Sequence, residues 1–325
     1  MRVVVTGGFG FIGRALARRV LDRGRLAGRG VSEVVLFDRP GGEVEGVEGA
    51  RTVLGDICDP EQVAALVDAE EVCVFHLASV LSGEGERDFD LALRVNLDGG
   101  RNVLEACRAH GSRPRLVFSS TLAAFGGDGM PETVGDTTKQ TPQTTYGTTK
   151  AACELLVNDY TRKGFLDGRT ARLPTVIVRP GAPNRAASSF ASAVFREPLA
   201  GRDYALPVGL DTRLPVIGER TVAEGLLRLV EVDGASLGHD RAVGLPGISV
   251  TVGEMVESLR RVAGDRALGA VTLARDPEIE AIVATWPRWV SSERALALGL
   301  PQDEGLDSIV RAYLEDHAAR AAVRS

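Results

Sequence analysis

Tyr146-Gly147-Thr148-Thr149-Lys150 sets a phenol and an ammonium four residues apart. On a helix that spacing puts both side chains on one face, one turn from each other. An ammonium beside a phenol favours the phenolate and lowers its pKa from about 10. Such a tyrosine could serve as general base toward an alcohol near neutral pH. The lysine could also hold the hydroxyls of a nicotinamide ribose. The same pattern occurs as a surface tyrosine beside a solvated lysine, so its setting carries the argument. Upstream, the apolar run from Arg115 ends in Ser119-Ser120-Thr121, which offers hydroxyls for the same substrate oxygen. Thr121 is the first candidate and Ser120 the second, because the phase of the strand end is open by one residue.

A second cluster lies at the start of the chain. Thr6-Gly7-Gly8-Phe9-Gly10-Phe11-Ile12-Gly13 stands between a first strand and a first helix, with Gly7, Gly10 and Gly13 three apart. Glycines allow a tight turn and a close approach of backbone to a pyrophosphate, and the helix N-terminus supplies N–H groups and a positive dipole end. Gly7, Phe9, Gly10, Phe11, Ile12 and Gly13 are therefore expected to touch a dinucleotide. Asp38 ends the second strand, where a carboxylate can accept from the adenosine ribose and repel a 2′-phosphate. That favours NAD over NADP, although Arg39 beside it could welcome a phosphate. Asp56 and Ile57 follow the third strand, and Leu77-Ala78-Ser79 the fourth, where small residues let a dinucleotide cross the sheet edge. These turns account for part of the glycine excess, 38 of 325 residues, against an average near 7%.

The elements that must position these residues alternate regularly. Strands are expected at Arg2–Val5, Glu33–Phe37, Thr52–Leu54, Val72–Leu77, Arg115–Ser119 and Thr175–Val178. Helices are expected at 11–23, 60–68, 90–110 and 145–163. Apolar strands alternating with helices indicate a parallel sheet covered on both faces. The expected fold is α/β, a Rossmann-type doubly wound parallel sheet with a smaller C-terminal substrate lobe. Residues 1–180 form the NAD-binding domain, 215–247 return to it, and 181–325 are mainly the substrate lobe. In that lobe 221–230, 254–263 and 308–323 read as helices.

Composition agrees with a globular enzyme. The hydrophobic fraction is 44%, the charged fraction 25% and the net charge −6. Nothing basic enough for a nucleic-acid or membrane footprint is present. No apolar run approaches the roughly 20 residues that span a bilayer, and no signal peptide precedes the first strand, so a cytoplasmic protein is expected. Cys58, Cys73, Cys107 and Cys153 are scattered, without the spacing of a zinc site or redox pair, and read as small buried hydrophobes. No metal is expected.

Taken together, TGGFGFIG, Asp38, Gly55-Asp56-Ile57, Asn96, the hydroxyls at 119–121 and YGTTK resemble the extended short-chain dehydrogenase/reductases, the NAD-dependent epimerase/dehydratase family. The resemblance spans the first 180 residues. It implies a Rossmann fold, a nicotinamide dinucleotide, and a triad of Thr121, Tyr146 and Lys150. It places Asn96 and Pro180 near the cofactor as well.

The following stretch, RLPTVIVRPGAPNRAASSFAS and FREPLAG, is similar to the D-erythronate dehydrogenase branch. That similarity implies oxidation of a small sugar acid at the C2 hydroxyl, giving a 2-oxo acid. A polyhydroxy acid needs a cation for its carboxylate and hydroxyls or amides for its alcohols. Ser120, Thr121, Asn184, Ser189, Arg196 and Arg213 are the candidates, with Arg185 beside them. Arg179 and the Trp286/Pro287/Trp289 cluster read as structural, and His76 as a buried, hydrogen-bonded imidazole. The alternative in the same family is a nucleotide-sugar epimerase. Dehydration is disfavoured, because Leu122-Ala123 stands where the resembling dehydratases carry an acidic pair. A cofactor-sensing protein without activity is disfavoured by the intact Tyr146 and Lys150. A homodimer is expected through the helices at 90–110 and 145–163.

Overall fold

A computed structural model describes residues 1–41, 46–181 and 187–318. The strands are β1 (Arg2–Thr6), β2 (Glu33–Asp38), β3 (Arg51–Leu54), β4 (Val72–His76), β5 (Arg115–Thr121), β6 (Asp167–Leu173), β7 (Thr175–Ile177), β8 (Arg213–Gly218), β9 (Ala242–Gly244) and β10 (Ile248–Thr251). Shorter strands are given by range where they matter. Seven of them build one sheet in the order β9-β6-β5-β4-β1-β2-β3. Every neighbouring pair in it is parallel. β1 reads RVVVT and buries Val3, Val4 and Val5 alike. A strand apolar on both sides needs cover on both sides.

That cover comes from two helix layers. On one face α1 (Phe11–Arg23) is joined by a later helix at Glu219–Glu231, and Leu16, Val20, Val222 and Leu226 share a core with Val3, Val5 and Phe75. On the other face lie α2 (Pro60–Leu66), α3 (Gly99–His110) and α4 (Thr145–Arg162), where Val63, Leu104, Cys107 and Val157 pack on Val4, Val35 and Phe118. The chain order 3-2-1-4-5-6 reverses between β1 and β4. That reversal opens a crevice at the carboxyl ends of these strands.

A second sheet, β7-β8-β10, carries the smaller lobe with α5 (Phe190–Leu199), α7 (Val252–Ala263) and α8 (Leu306–Tyr313), and α6 is the helix at Glu219–Glu231 just described. Its own core joins Ile177, Phe190, Phe195, Leu214, Met255, Leu259 and Ile309. β9 and α6 leave this part of the chain and pack on the main sheet.

Three sequence expectations are corrected. The strand at Thr175 belongs to the second sheet, and the main-sheet strand next to β5 is β6. Its sequence DGRTARL hides a buried polar face. Arg169 is fully buried there and donates to the carbonyls of Asp167 and Val232 at 2.8 Å each. The helix expected over 90–110 is interrupted, with a wider π-type turn at Leu93–Asp98 leading into α3. The last helix begins at Leu306, and residues 319–323 of the expected helix lie outside the described residues. No helix among the described residues is long and apolar enough to cross a membrane.

Candidate active site

A cavity of about 510 Å³ opens at the reversal between β1 and β4. Its walls run from Gly7, Gly10 and Phe11–Gly13, past Asp38, Asp56 and Ile57, along Leu77-Ala78-Ser79, to Thr121, Tyr146 and Lys150. One cleft thus gathers the expected cofactor turns and the expected catalytic groups.

The glycine loop is bare because nothing else fits. Gly7 adopts φ +69°, and a Cβ there would stand 2.7 Å from the amide nitrogen of Ala78. A Cβ on Gly13 would stand 2.6 Å from the carbonyl oxygen of Gly7. Gly10 opens α1 without a side-chain cap hydrogen bond, which leaves the first amides of the helix without that partner. Asp38 ties this loop to the sheet: its carboxylate accepts from the backbone N–H groups of Phe9 at 3.0 Å and Arg39 at 2.8 Å. Asp56 accepts from the Cys58 amide at 2.9 Å. Bare backbone, a free helix N-terminus and a terminal carboxylate fit the pyrophosphate and ribose of a dinucleotide.

β4 is pinned beneath this cradle. The Thr6 hydroxyl bonds the His76 ring at 2.7 Å and accepts from the Ala78 amide at 3.3 Å. Burial, helped by the charge of Lys150, pushes the His76 pKa down to about 3, so the imidazole is neutral.

The expected catalytic groups are set by a close approach. Thr144 caps α4 by accepting from the Gly147 amide at 3.0 Å. A Cβ at Gly147 would overlap the carbonyl oxygen of Ala123, so only glycine lets α4 touch the turn after β5. That contact sets Tyr146 beside Thr121, close enough for the threonine hydroxyl to lower the phenol pKa. Ser120 faces the other way and donates to the buried carboxylate of Glu154. Both residues line the cavity, but Thr121 stands beside the tyrosine whereas the Ser120 hydroxyl is engaged by Glu154.

Lys150 is buried and donates to the Ser119 carbonyl at 2.8 Å. Its ammonium lies 4.8 Å from the centre of the Phe118 ring and 5.7 Å from that of Tyr146. Burial pushes its pKa down to about 8, against the opposing pull of Cys153 and Glu154. Burial pushes the Tyr146 phenol up to about 12, and the neighbouring Thr121 hydroxyl only moderates this. Spacing suggested a lowered phenol pKa; here desolvation is the largest influence on the phenol, and the ammonium is held on a backbone carbonyl.

Behind this wall sits a buried polar network that spacing did not reveal. Glu154 accepts from Gln140 at 2.7 Å and from Arg172 at 2.7 and 3.0 Å. Arg172 in turn donates to the carbonyl of Asp136 at 3.1 Å. Glu154 lies one turn beyond Lys150, a regularity that could have singled it out.

Several expected contacts lie elsewhere. Asn96 does not line the cavity. Its carboxamide accepts from the Val80 amide at 2.7 Å and donates to the Val80 carbonyl at 3.1 Å, clamping the turn after Ser79. Phe9 packs on the core and meets the site through its backbone only. Pro180 and Ser189 do not line the cavity, whereas their neighbours Arg179 and Ser188 do. Arg196 is buried against Glu197 at 2.8 Å. Arg213 donates to the Ser249 carbonyl at 3.0 Å and stacks 4.4 Å from the centre of the Trp289 ring, outside the cavity. Asn184 and Arg185 lie outside the described residues. Trp286 and Pro287, read as packing residues, form part of the wall, together with Leu214 and Pro215.

Residues 3–239 match the NAD dependent epimerase/dehydratase family. The chain belongs to that family. It is an oxidoreductase of the extended short-chain dehydrogenase/reductase type. It is 47% identical over 322 residues to a D-erythronate dehydrogenase from Cupriavidus necator, covering 97% of this chain and 98% of that protein. It is 39% identical to a D-erythronate dehydrogenase from Haemophilus influenzae, covering 97% and 99%. Among solved structures it resembles one described as a nucleoside-diphosphate-sugar epimerase from Agrobacterium tumefaciens. That likeness has a TM-score of 0.90 and 36% identity, covering 98% of this chain and 95% of the other.

Proposed function

We propose that this member of the epimerase/dehydratase family is an NAD-linked dehydrogenase of small sugar acids. It would oxidise the C2 hydroxyl of D-erythronate or a close analogue to a 2-oxo acid. The observation that carries the reading is the Thr121–Tyr146 hydroxyl pair beside Lys150, at the end of a cleft that begins in the glycine loop. The two full-length D-erythronate dehydrogenase relatives support the substrate class.

A bound NAD supplies the hydride acceptor. The chain's own groups do the rest. Thr121 holds the substrate oxygen, and Tyr146, as phenolate, takes the proton from it as the C2 hydride departs. The alcohol thus loses one proton and one hydride and becomes a ketone. Lys150 keeps a positive charge near the phenolate while it carries its proton. Asp38 at the ribose end supports NAD in preference to NADP, because a 2′-phosphate there would meet a carboxylate.

The likeness to a nucleoside-diphosphate-sugar epimerase gives a second reading, in which oxidation is transient. NADH formation separates the two. A dehydrogenase accumulates NADH with D-erythronate, whereas an epimerase shows none and instead interconverts a sugar nucleotide. Accumulation with erythronate, threonate or a uronic acid supports the proposal, and its failure with all of them overturns it.

A further inference from the structure

Among the described residues that line the cavity, Arg39, Lys150 and Arg179 carry cationic side chains. Lys150 is committed to the Ser119 carbonyl and the tyrosine. Arg39 stands beside Asp38, at the adenosine end. Arg179 is different. It follows β7 into the cleft, where its guanidinium lies 5.9 Å from the centre of the Phe11 ring. Among the described residues that guanidinium faces no carboxylate.

Its backbone, in contrast, is gripped from both sides by α5. The Arg179 amide donates to the Ser192 hydroxyl at 3.0 Å, and its carbonyl accepts from Arg196 Nη1 at 2.9 Å. Ser192 and Arg196 are both buried. Arg196 is held in turn by Glu197. Burial lowers the Arg179 pKa from its ordinary value, and the charge of Arg196 lowers it further. A guanidinium stays charged under such a shift. The strand end is therefore built to present a cation to the cleft without neutralising it. A partly desolvated charge without a counter-ion is unfavourable, and an anion in the cleft would relieve it.

The proposed reaction brings two anions. The pyrophosphate already has the bare glycine loop and the N-terminus of α1. Of the three cations in the described wall, Arg39 stands at the adenosine end and Lys150 is held on the Ser119 carbonyl, which leaves Arg179 for the substrate carboxylate. We propose that Arg179 receives the carboxylate of the sugar acid, and that Ser192 and Arg196 are positioning residues that fix it. This rests on the sugar-acid reading above. It gives Arg196, expected to touch substrate, a role one residue removed from it.

The test measures D-erythronate binding to the NADH-loaded enzyme, where no turnover occurs, alongside NADH binding by fluorescence. Wild type, Arg179→Gln and Arg179→Lys are compared, with erythritol as the uncharged control. Arg179→Gln is expected to weaken erythronate binding roughly 30-fold, the size of a lost charge-assisted contact. Arg179→Lys should fall between, because it keeps the charge and loses the planar fork. NADH and erythritol binding should stay within about twofold of wild type, a scatter small beside the tenfold that 1.4 kcal/mol represents.

Equal erythronate binding by wild type and Arg179→Gln overturns the inference while leaving the proposed function intact. A matching loss of NADH binding also overturns it, and assigns Arg179 to the pyrophosphate. Wild type that binds erythronate through Arg179 but does not oxidise it leaves the inference standing and removes the proposed function. Wild type that does not bind erythronate removes both.

Discussion

Ser120 and Thr121 are adjacent hydroxyls with opposite duties. Successive side chains of a strand point to opposite faces, so the two hydroxyls point apart although both residues border the cleft. Thr121 meets Tyr146, and Ser120 meets Glu154. Tyr146→Phe removes the proposed proton acceptor without changing the ring, so kcat should fall by about 10²–10⁴-fold. NADH affinity and melting temperature should be unchanged in the same variant; a kcat within tenfold of wild type would remove Tyr146 from the chemistry. Glu154 acts at one remove. Its charge raises the Lys150 pKa, which burial has lowered to about 8. The rate of oxidation should climb as pH rises and phenolate becomes accessible, then flatten near pH 8 as Lys150 loses its proton. Glu154→Gln deletes the negative charge, lowers the Lys150 pKa further and should move that break to lower pH. It also leaves Arg172 buried beside a neutral partner, for which loss of about 3–5 kcal/mol of stability is expected in urea unfolding. A destabilised variant with an unmoved pH break would mean that Glu154 is structural only. Spacing revealed the tyrosine, the lysine and the hydroxyl pair, because each rests on a short local repeat. Arg179 stayed hidden because its proposed role depends on what, among the described residues, fails to pair with it, and the guanidinium of Arg213 lies outside the cavity on Trp289 and a carbonyl, which spacing does not show.

At the scale of elements, the loop before α1 is the most constrained piece of backbone in the site. Gly7 and Gly13 have no room for even one carbon, since the atoms they would strike are main-chain atoms of Ala78 and Gly7. Gly13→Ala must push the first turn of α1 off the strand end. It should cost about 1–3 kcal/mol of stability, as overpacking does, and weaken NADH binding measured by fluorescence. Unchanged NADH affinity would mean that the loop is only a tight turn. The glycine loop was legible because its constraint is local. β6 was not, because DGRTARL lacks the apolar run of a buried strand. Its burial is made tolerable by partners far along the chain, such as the Val232 carbonyl that receives Arg169. The π-type turn at 93–98 was equally invisible. It places Asn96 where its carboxamide can hold the turn after Ser79, a contact between residues 16 apart that periodicity alone does not show.

At the scale of the whole molecule, the parallel sheet follows from alternating strands and helices, and its strand order opens the cleft between β1 and β4. The second lobe closes that cleft with Leu214, Pro215, Trp286 and Pro287. Its course was the least legible part, because its elements are short and its sheet mixes parallel and antiparallel pairs. The division of labour nevertheless suits the proposed chemistry. The main sheet presents the cradle, a helix packed on it presents the tyrosine, and the strand entering the second lobe presents a cation. An acidic protein of net charge −6 that takes an anionic substrate must rely on such a local charge. The most direct measurement is NADH formation from NAD and D-erythronate, followed at 340 nm by the purified enzyme. Steady accumulation of NADH with one 2-oxo acid formed per NADH, lost in Tyr146→Phe, is the predicted result. No NADH from erythronate, threonate or any uronic acid, together with interconversion of a sugar nucleotide, would contradict it.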